Sequence, residues 1–174
     1  MSETIQTGAD ASLKVPVIVT IKMSWLLYDI MNETFLRGRT IQNRDNYKEV
    51  ASMFASEDEE NREKILRSIK KGFAEVKTDL AEYLDEDGTT TDNSHFDGKS
   101  NLELSLKMPS NFNKAATAGV GEAVHDYLKN TSIAEWYLVT NKADAEQYVV
   151  LAQKSLESIR QAVSKRARPK RPEE

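Results

Sequence analysis

The chain has no cysteine among its 174 residues. Disulfides, thiolate metal sites and cysteine nucleophiles are therefore excluded. No apolar run approaches the roughly 20 residues that a membrane span requires. The opening stretch, Met1 to Asp10, lacks the basic and apolar regions of a secretory signal, so a cytoplasmic setting is expected. A Gly-x-Ser-x-Gly nucleophile elbow is missing. The pair Gly119-Val-Gly121 lacks a preceding strand, a third glycine and a following Gly-Lys-Ser/Thr, so it is not a phosphate loop. Proline is scarce, with only four residues. Pro16 and Pro109 fit the ends of strands, and Pro169 and Pro172 forbid a helix beyond that point.

Charge is plentiful but uneven. The formal net charge is −4. From Arg160 onward stand Arg160, Lys165, Arg166, Arg168, Lys170 and Arg171 against Glu173 and Glu174. The rest of the chain is correspondingly more acidic and repels phosphate, so any nucleic-acid contact is confined to the tail.

Periodicity then divides the chain. Residues 1–12 are polar and aperiodic and read as a leader. Val15 to Met23 is short, apolar and β-branched, the pattern of a strand. Ser24 is placed to cap a helix through Leu36, with Leu27, Ile30, Met31 and Thr34 on one face and Gly38 as its stop. A short helix is expected over Asp45–Ala55, with Tyr47, Val50, Ala51 and Phe54 as its stripe. The strongest helix follows a capping box, Ser56 with Glu59. Its apolar positions are Ile65, Leu66, Ile69, Phe73, Val76, Leu80 and Leu84, and it should end before Gly88.

The polar stretch Asp85–Lys99 reads as a loop. In Leu102, Leu104, Leu106 and Met108, apolar residues alternate with polar ones, as in a half-buried strand. Two strands cannot leave buried backbone unpaired, so they are expected to pair with each other. Helical spacing resumes from Asn113 to Asn141, through Val120, Ala123, Val124, Tyr127, Leu128, Ala134, Trp136 and Leu138. Gly119, Gly121 and Asn130-Thr-Ser132 weaken it, and the last is a candidate break. Asn141 with Asp144 caps a final helix carrying Ala145, Tyr148, Ala152, Leu156, Ile159 and Val163. The expected fold is mainly α: a bundle of four to five helices with a small two-stranded antiparallel sheet. A single helical domain over 13–165 is followed by a basic, proline-containing tail, 166–174.

Few residues offer chemistry. His95 and Asp97, near Asp85, Asp87 and Asp92, supply oxygen-rich ligands for a hard cation, but Gly88 falls too early for a calcium loop, and solvation explains the loop. His125 and Asp126 are adjacent on a helix and do not face each other. Asp29 with Glu33 and Glu57 with Glu60 read as charged helix surface. No catalytic, metal or cofactor site is expected. Trp25 and Trp136 are candidate interface anchors, with core packing the commoner role of such residues. Lys165, Arg166, Arg168, Lys170 and Arg171 have three readings. They end a helix, dock into a partner as an extended peptide, or contact phosphates without reading sequence.

A strand feeding Ser24-Trp-Leu-Leu-Tyr-Asp-Ile30 is followed by further helices. A late helix pair then carries Asp126-Tyr127, Glu135-Trp136-Tyr137, Ala145, Tyr148, Ala152, Leu156 and Ile159. This layout resembles small proteins of phages and prophages of Bacteroides-type bacteria, and is similar to head–tail connector (adaptor) proteins of tailed phages. The resemblance rests on architecture and scattered aromatics over about residues 24–165. It implies a non-enzymatic virion component, assembled in the host cytoplasm. Such a component forms a ring with copies of itself and contacts portal or neck and tail proteins, with termini that latch onto neighbours or face DNA. Open sheet edges would suit strand exchange between subunits. The competing reading is a small DNA-binding or regulatory protein that uses its basic tail, although no helix-turn-helix is evident.

Overall fold

The computed structural model describes residues 14–43, 45–55, 58–91 and 98–168. The expected architecture is present. Among the described residues, the elements run β1 (Val15–Ile21), α1 (Met23–Ile41), α2 (Tyr47–Met53), α3 (Glu59–Asp79), β2 (Leu102–Met108), α4 (Thr117–Thr140) and α5 (Lys142–Val163). Single 3-10 turns stand at Glu86–Gly88 and Lys114–Ala116. No helix among the described residues is long and apolar enough to cross a membrane.

The two strands pair antiparallel, with Val15 opposite Met108 and Ile21 opposite Leu102. Val17, Val19, Ile21, Leu102, Leu104, Leu106 and Met108 turn inward and are buried. They pack onto a core whose centre is α4, where Val120, Val124, Leu128, Ile133 and Tyr137 are all fully buried. Helix α5 folds back along α4 after a tight turn. Asn141 shapes that turn: its side chain accepts from the Asp144 N–H at 3.4 Å, and its amide donates to the Asp144 carboxylate at 2.8 Å. The α5 stripe predicted from spacing is the one that packs, with Leu156 only partly covered.

Several local expectations change. Helix α1 starts at Met23, with Lys22 rather than Ser24 at its N-cap. Gly38 does not end it. The helix continues to Ile41, and Gly38 is buried where an added Cβ would collide with the Phe54 ring. The glycine is a contact point between α1 and the segment after α2. In α2 the buried residues are Val50 and Met53, while Tyr47 and Ala51 are exposed. Ser56 of the expected capping box lies outside the described residues, and Asp58 occupies the N-cap of α3. Helix α3 ends at Asp79 rather than running toward Gly88. Leu80 is still buried, but it belongs to the turns beyond. Asn130-Thr-Ser132 does not break α4, because Asn130 and Ser132 are buried within the helix and the Asn130 amide reaches Ser155 of α5 at 3.3 Å.

The loop after α3 alters the sheet. Segment Tyr83–Thr90 runs along the outer edge of β2. The Lys107 N–H donates to the Tyr83 carbonyl at 2.7 Å, and the N–H groups of Asp85 and Thr90 donate to the carbonyls of Ser105 and Glu103, both at 2.9 Å. The Thr89 hydroxyl takes the place of a strand residue: it accepts from the Ser105 N–H at 3.1 Å, and its proton is directed to the Asp85 carbonyl at 2.7 Å, with the Ser105 carbonyl farther off at 3.2 Å. Gly88 permits this approach, since a Cβ there would meet Ser105 at 2.8 Å. The expectation of two open sheet edges is therefore corrected for β2.

The edge of β1 differs. In an antiparallel ladder, alternate residues direct their backbone groups to opposite sides. Glu103, Ser105 and Lys107 face outward on β2, so Pro16, Ile18 and Thr20 face outward on β1. Among the described residues, that edge has no backbone partner. Pro16 lacks an N–H at a position where none is needed, which blunts the edge at one end.

Candidate interaction surfaces

The two tryptophans part company. Trp136 is a core residue, 6% exposed, and its indole N–H donates to the Met53 carbonyl at 2.8 Å. It is not available as a surface anchor, because α2 and the segment after it close over it. Trp25 is 62% exposed at the start of α1, with the Lys22 ammonium 4.0 Å above its ring.

Trp25 is one of a set. The side of α1 that packs inward carries Met23, Leu26, Leu27, Ile30 and Thr34. The outward side carries Trp25, Tyr28, Phe35 and Leu36, with 44% to 67% of each exposed. At about 100° per residue these four fall within a single arc of roughly 100°. Asn32 and Arg39, also exposed, complete the same arc. Phe35 leans on Phe54 with ring centres 5.3 Å apart, and Arg39 lies over Phe35 at 5.6 Å. Spacing arguments that stop once one apolar face has been found overlook this second face. The signal for it was the residue of large apolar side chains left after the core face was filled.

Beside this arc, β1, the start of α1 and the first turns of α4 border a groove of about 510 Å³, lined by Ile18, Trp25, Asp29, Glu122, His125 and Asp126 among others. His125 does not pair with its neighbour Asp126. Its Nε2 lies 2.8 Å from the Asp29 carboxylate, which links α4 to α1. Asp29 and Glu33 do not form a common site either, because Glu33 accepts from the Tyr148 hydroxyl at 2.9 Å. Glu57 lies outside the described residues, and Glu60 is exposed.

A wider depression, about 890 Å³, lies between α3 and the end of α4. Glu59, Glu60, Glu63 and Glu135 line it, and of these Glu135 is engaged: Lys71 donates to it at 2.6 Å, and so does Ser68. Burial opposes ionisation of Glu135, but these bonds outweigh it and hold the carboxyl below its usual range. Tyr127 is pushed up to about 12 by burial and by Glu75, which accepts its hydroxyl. Asp144 is held below the carboxylate range, chiefly by the Arg37 guanidinium, which grips it with two bonds of 2.6 and 2.8 Å. These groups hold elements together, and each has its partner within the fold.

In the polar loop, Asp85 pairs with Lys107 at 2.9 Å and Asp87 is exposed. Asp92, His95 and Asp97 lie outside the described residues. Among the described residues no cluster of three or more His, Asp or Glu is arranged to hold a metal ion. Gly119 and Gly121 lie within the first turns of α4.

The base of the tail is fastened. After α5 the chain leaves the helix and runs beside the turn that follows β2. The Asn113 N–H donates to the Lys165 carbonyl at 3.2 Å, and the Ala167 N–H donates to the Asn111 carbonyl at 2.8 Å. Arg166 forms a bridge opposite Phe112, which is buried, and its guanidinium caps the Val163 carbonyl at 2.9 Å. Lys165, Arg166 and Arg168 keep their side chains exposed. Lys170 and Arg171 lie outside the described residues. Among the described residues the cation over the Trp25 ring is Lys22, and the described tail residues run beside Asn111–Asn113 instead.

No protein-family model matches the chain, and neither a curated protein nor a solved structure does.

Proposed function

We propose that this chain is a structural interaction protein that assembles with copies of itself and with neighbouring proteins. Its setting is the head–tail connector of a tailed phage, at the junction of portal and neck. The observation that carries the reading is the second apolar face of α1. A helix with large apolar side chains on both sides has one side in use within the fold and one side left for another molecule. The fastened base of the tail fits the same role, since it projects exposed cations from a fixed point on an acidic body. The partnered carboxylates and tyrosines described above favour this over catalysis, which needs titratable groups that converge on open space.

The test is mass by light scattering at low and high salt, for the full chain and for a chain ending at Arg168, followed by binding to portal and neck proteins. Self-association or capture by a neck component supports the reading. A monomer that ignores those proteins and binds duplex DNA with a steep salt dependence overturns it in favour of a DNA-binding role.

A further inference from the structure

The exposed arc of α1 has an internal order. Taking Asn32 as the centre, Tyr28 and Leu36 stand four residues to either side, and Trp25 and Arg39 stand seven to either side. Trp25, Asn32 and Arg39 repeat every seven residues, and Tyr28 and Leu36 stand eight apart. The steps are therefore three, four, four and three, close to the spacing of a coiled-coil seam, in which a lone Asn selects register and partner number. The seam is nearly its own mirror under reversal.

We infer that α1 is a self-recognition helix, which packs antiparallel against α1 of a second copy about a two-fold axis at Asn32. The inference rests on the self-association part of the reading above and names the partner and the face; a two-fold pair is an isologous contact, distinct from the head-to-tail contacts of a ring. The two-fold sets Tyr28 of one copy against Leu36 of the other and pairs the two Asn32 amides. It also brings each Arg39, which lies over its own Phe35, to the other copy's Trp25, where it stacks on the side of the ring away from Lys22. A parallel pairing would instead set Arg39 against Arg39. The contact runs about 21 Å from Trp25 to Arg39 at 1.5 Å per residue. With Ile18, which is 62% exposed, its large side chains offer on the order of 600 Å². A standard interface takes about 800 Å² per partner, so this face supplies most of what a stable dimer needs.

The absence of cysteine gives a direct test. Asn32→Cys places one thiol per chain on the proposed axis, and Lys154→Cys places one on exposed α5 as a control. Under mild oxidation the first variant should form covalent dimers many times faster than the second. Tyr28→Glu should leave a monomer with unchanged helical content, and Leu36→Ala should weaken the dimer on the order of 10-fold.

Three results would overturn the inference. One is equal cross-linking of both thiols. Another is an assembly larger than a dimer that survives Tyr28→Glu, which points to head-to-tail packing in a ring through other faces and leaves the assembly reading standing. The last is a monomer at about 100 μM, far above the Kd expected of such an area. In that case the assembly reading is decided separately by binding to neck components.

Discussion

Trp136 and Trp25 have the same chemistry and opposite surroundings. Trp136 belongs to the interior around α4, where large side chains meet one another and several polar groups are paired across elements: Arg37 to Asp144, Tyr148 to Glu33, and Tyr127 to Glu75. Trp25 belongs to the margin formed by β1 and the outer side of α1, where apolar side chains face solvent and a strand edge has no backbone partner among the described residues. The sheet repeats the contrast: among the described residues, β2 is covered by the chain's own loop and β1 is open. Stability is concentrated in the first region, and recognition is assigned to the second.

Substitution of the tryptophans is the strongest way to break the comparison. Trp136→Ala should cost about 3–5 kcal/mol in urea denaturation, because it opens a cavity and strands the Met53 carbonyl. Trp25→Ala should change the stability of dilute protein by no more than about 0.5 kcal/mol, while weakening self-association. An equal loss for both would place Trp25 in the fold rather than on an interface.

The sheet edges give the next test. Thr89→Val removes the hydroxyl that accepts from the Ser105 N–H and donates to the Asp85 carbonyl, and should cost about 1–3 kcal/mol. Thr20→Val on the open edge should be near neutral in the same urea denaturation.

Acid titration sharpens the interior side. Asp144 has its folded-state pKa lowered by Arg37, so its stabilisation is complete above the unfolded value, near pH 4, and is lost as pH falls through the folded value. Asp144→Ala should lower stability at pH 7 by about 2 kcal/mol. It should also flatten the acid limb of stability against pH. An unchanged limb would mean that other carboxylates carry it. At the alkaline end, Tyr127 has its folded value raised, so stability should decline from about pH 10 toward 12.

The smallest effect concerns the tail. Ending the chain at Arg168 should leave the melting temperature unchanged. Ending it at Ser164 removes the two backbone bonds to Asn111 and Asn113, uncovers Phe112 and should cost about 1–2 kcal/mol.

The elements that depend on spacing were legible in the residues. The α3 stripe, the α5 stripe with its Asn141 cap, and the alternation of β2 follow from repeats of 3.6 and 2, and β1 follows from its short run of β-branched residues. Features that depend on a distant partner were not. Gly38 looks like a helix stop until Phe54 is seen to lie against it. Asn130-Thr-Ser132 looks like a break until α5 covers it. Thr89 carries no pattern at all, since its role comes from the crossing of a loop over β2. The outer face of α1 was legible in principle. Four large apolar residues remained once the inner face was assigned, but attention to a single stripe left three of them uncounted.

The loop over β2 has a consequence for growth. A small sheet with two free margins can add strands on both sides and extend without limit, which is the geometry of a fibre. Here Tyr83–Thr90 occupies one margin. A strand that joined at β1 would meet a sheet closed on its far side, and two molecules joined β1 to β1 would present only closed margins. Assembly through this sheet therefore terminates at a fixed number of strands: the fold permits a joint and forbids a chain reaction.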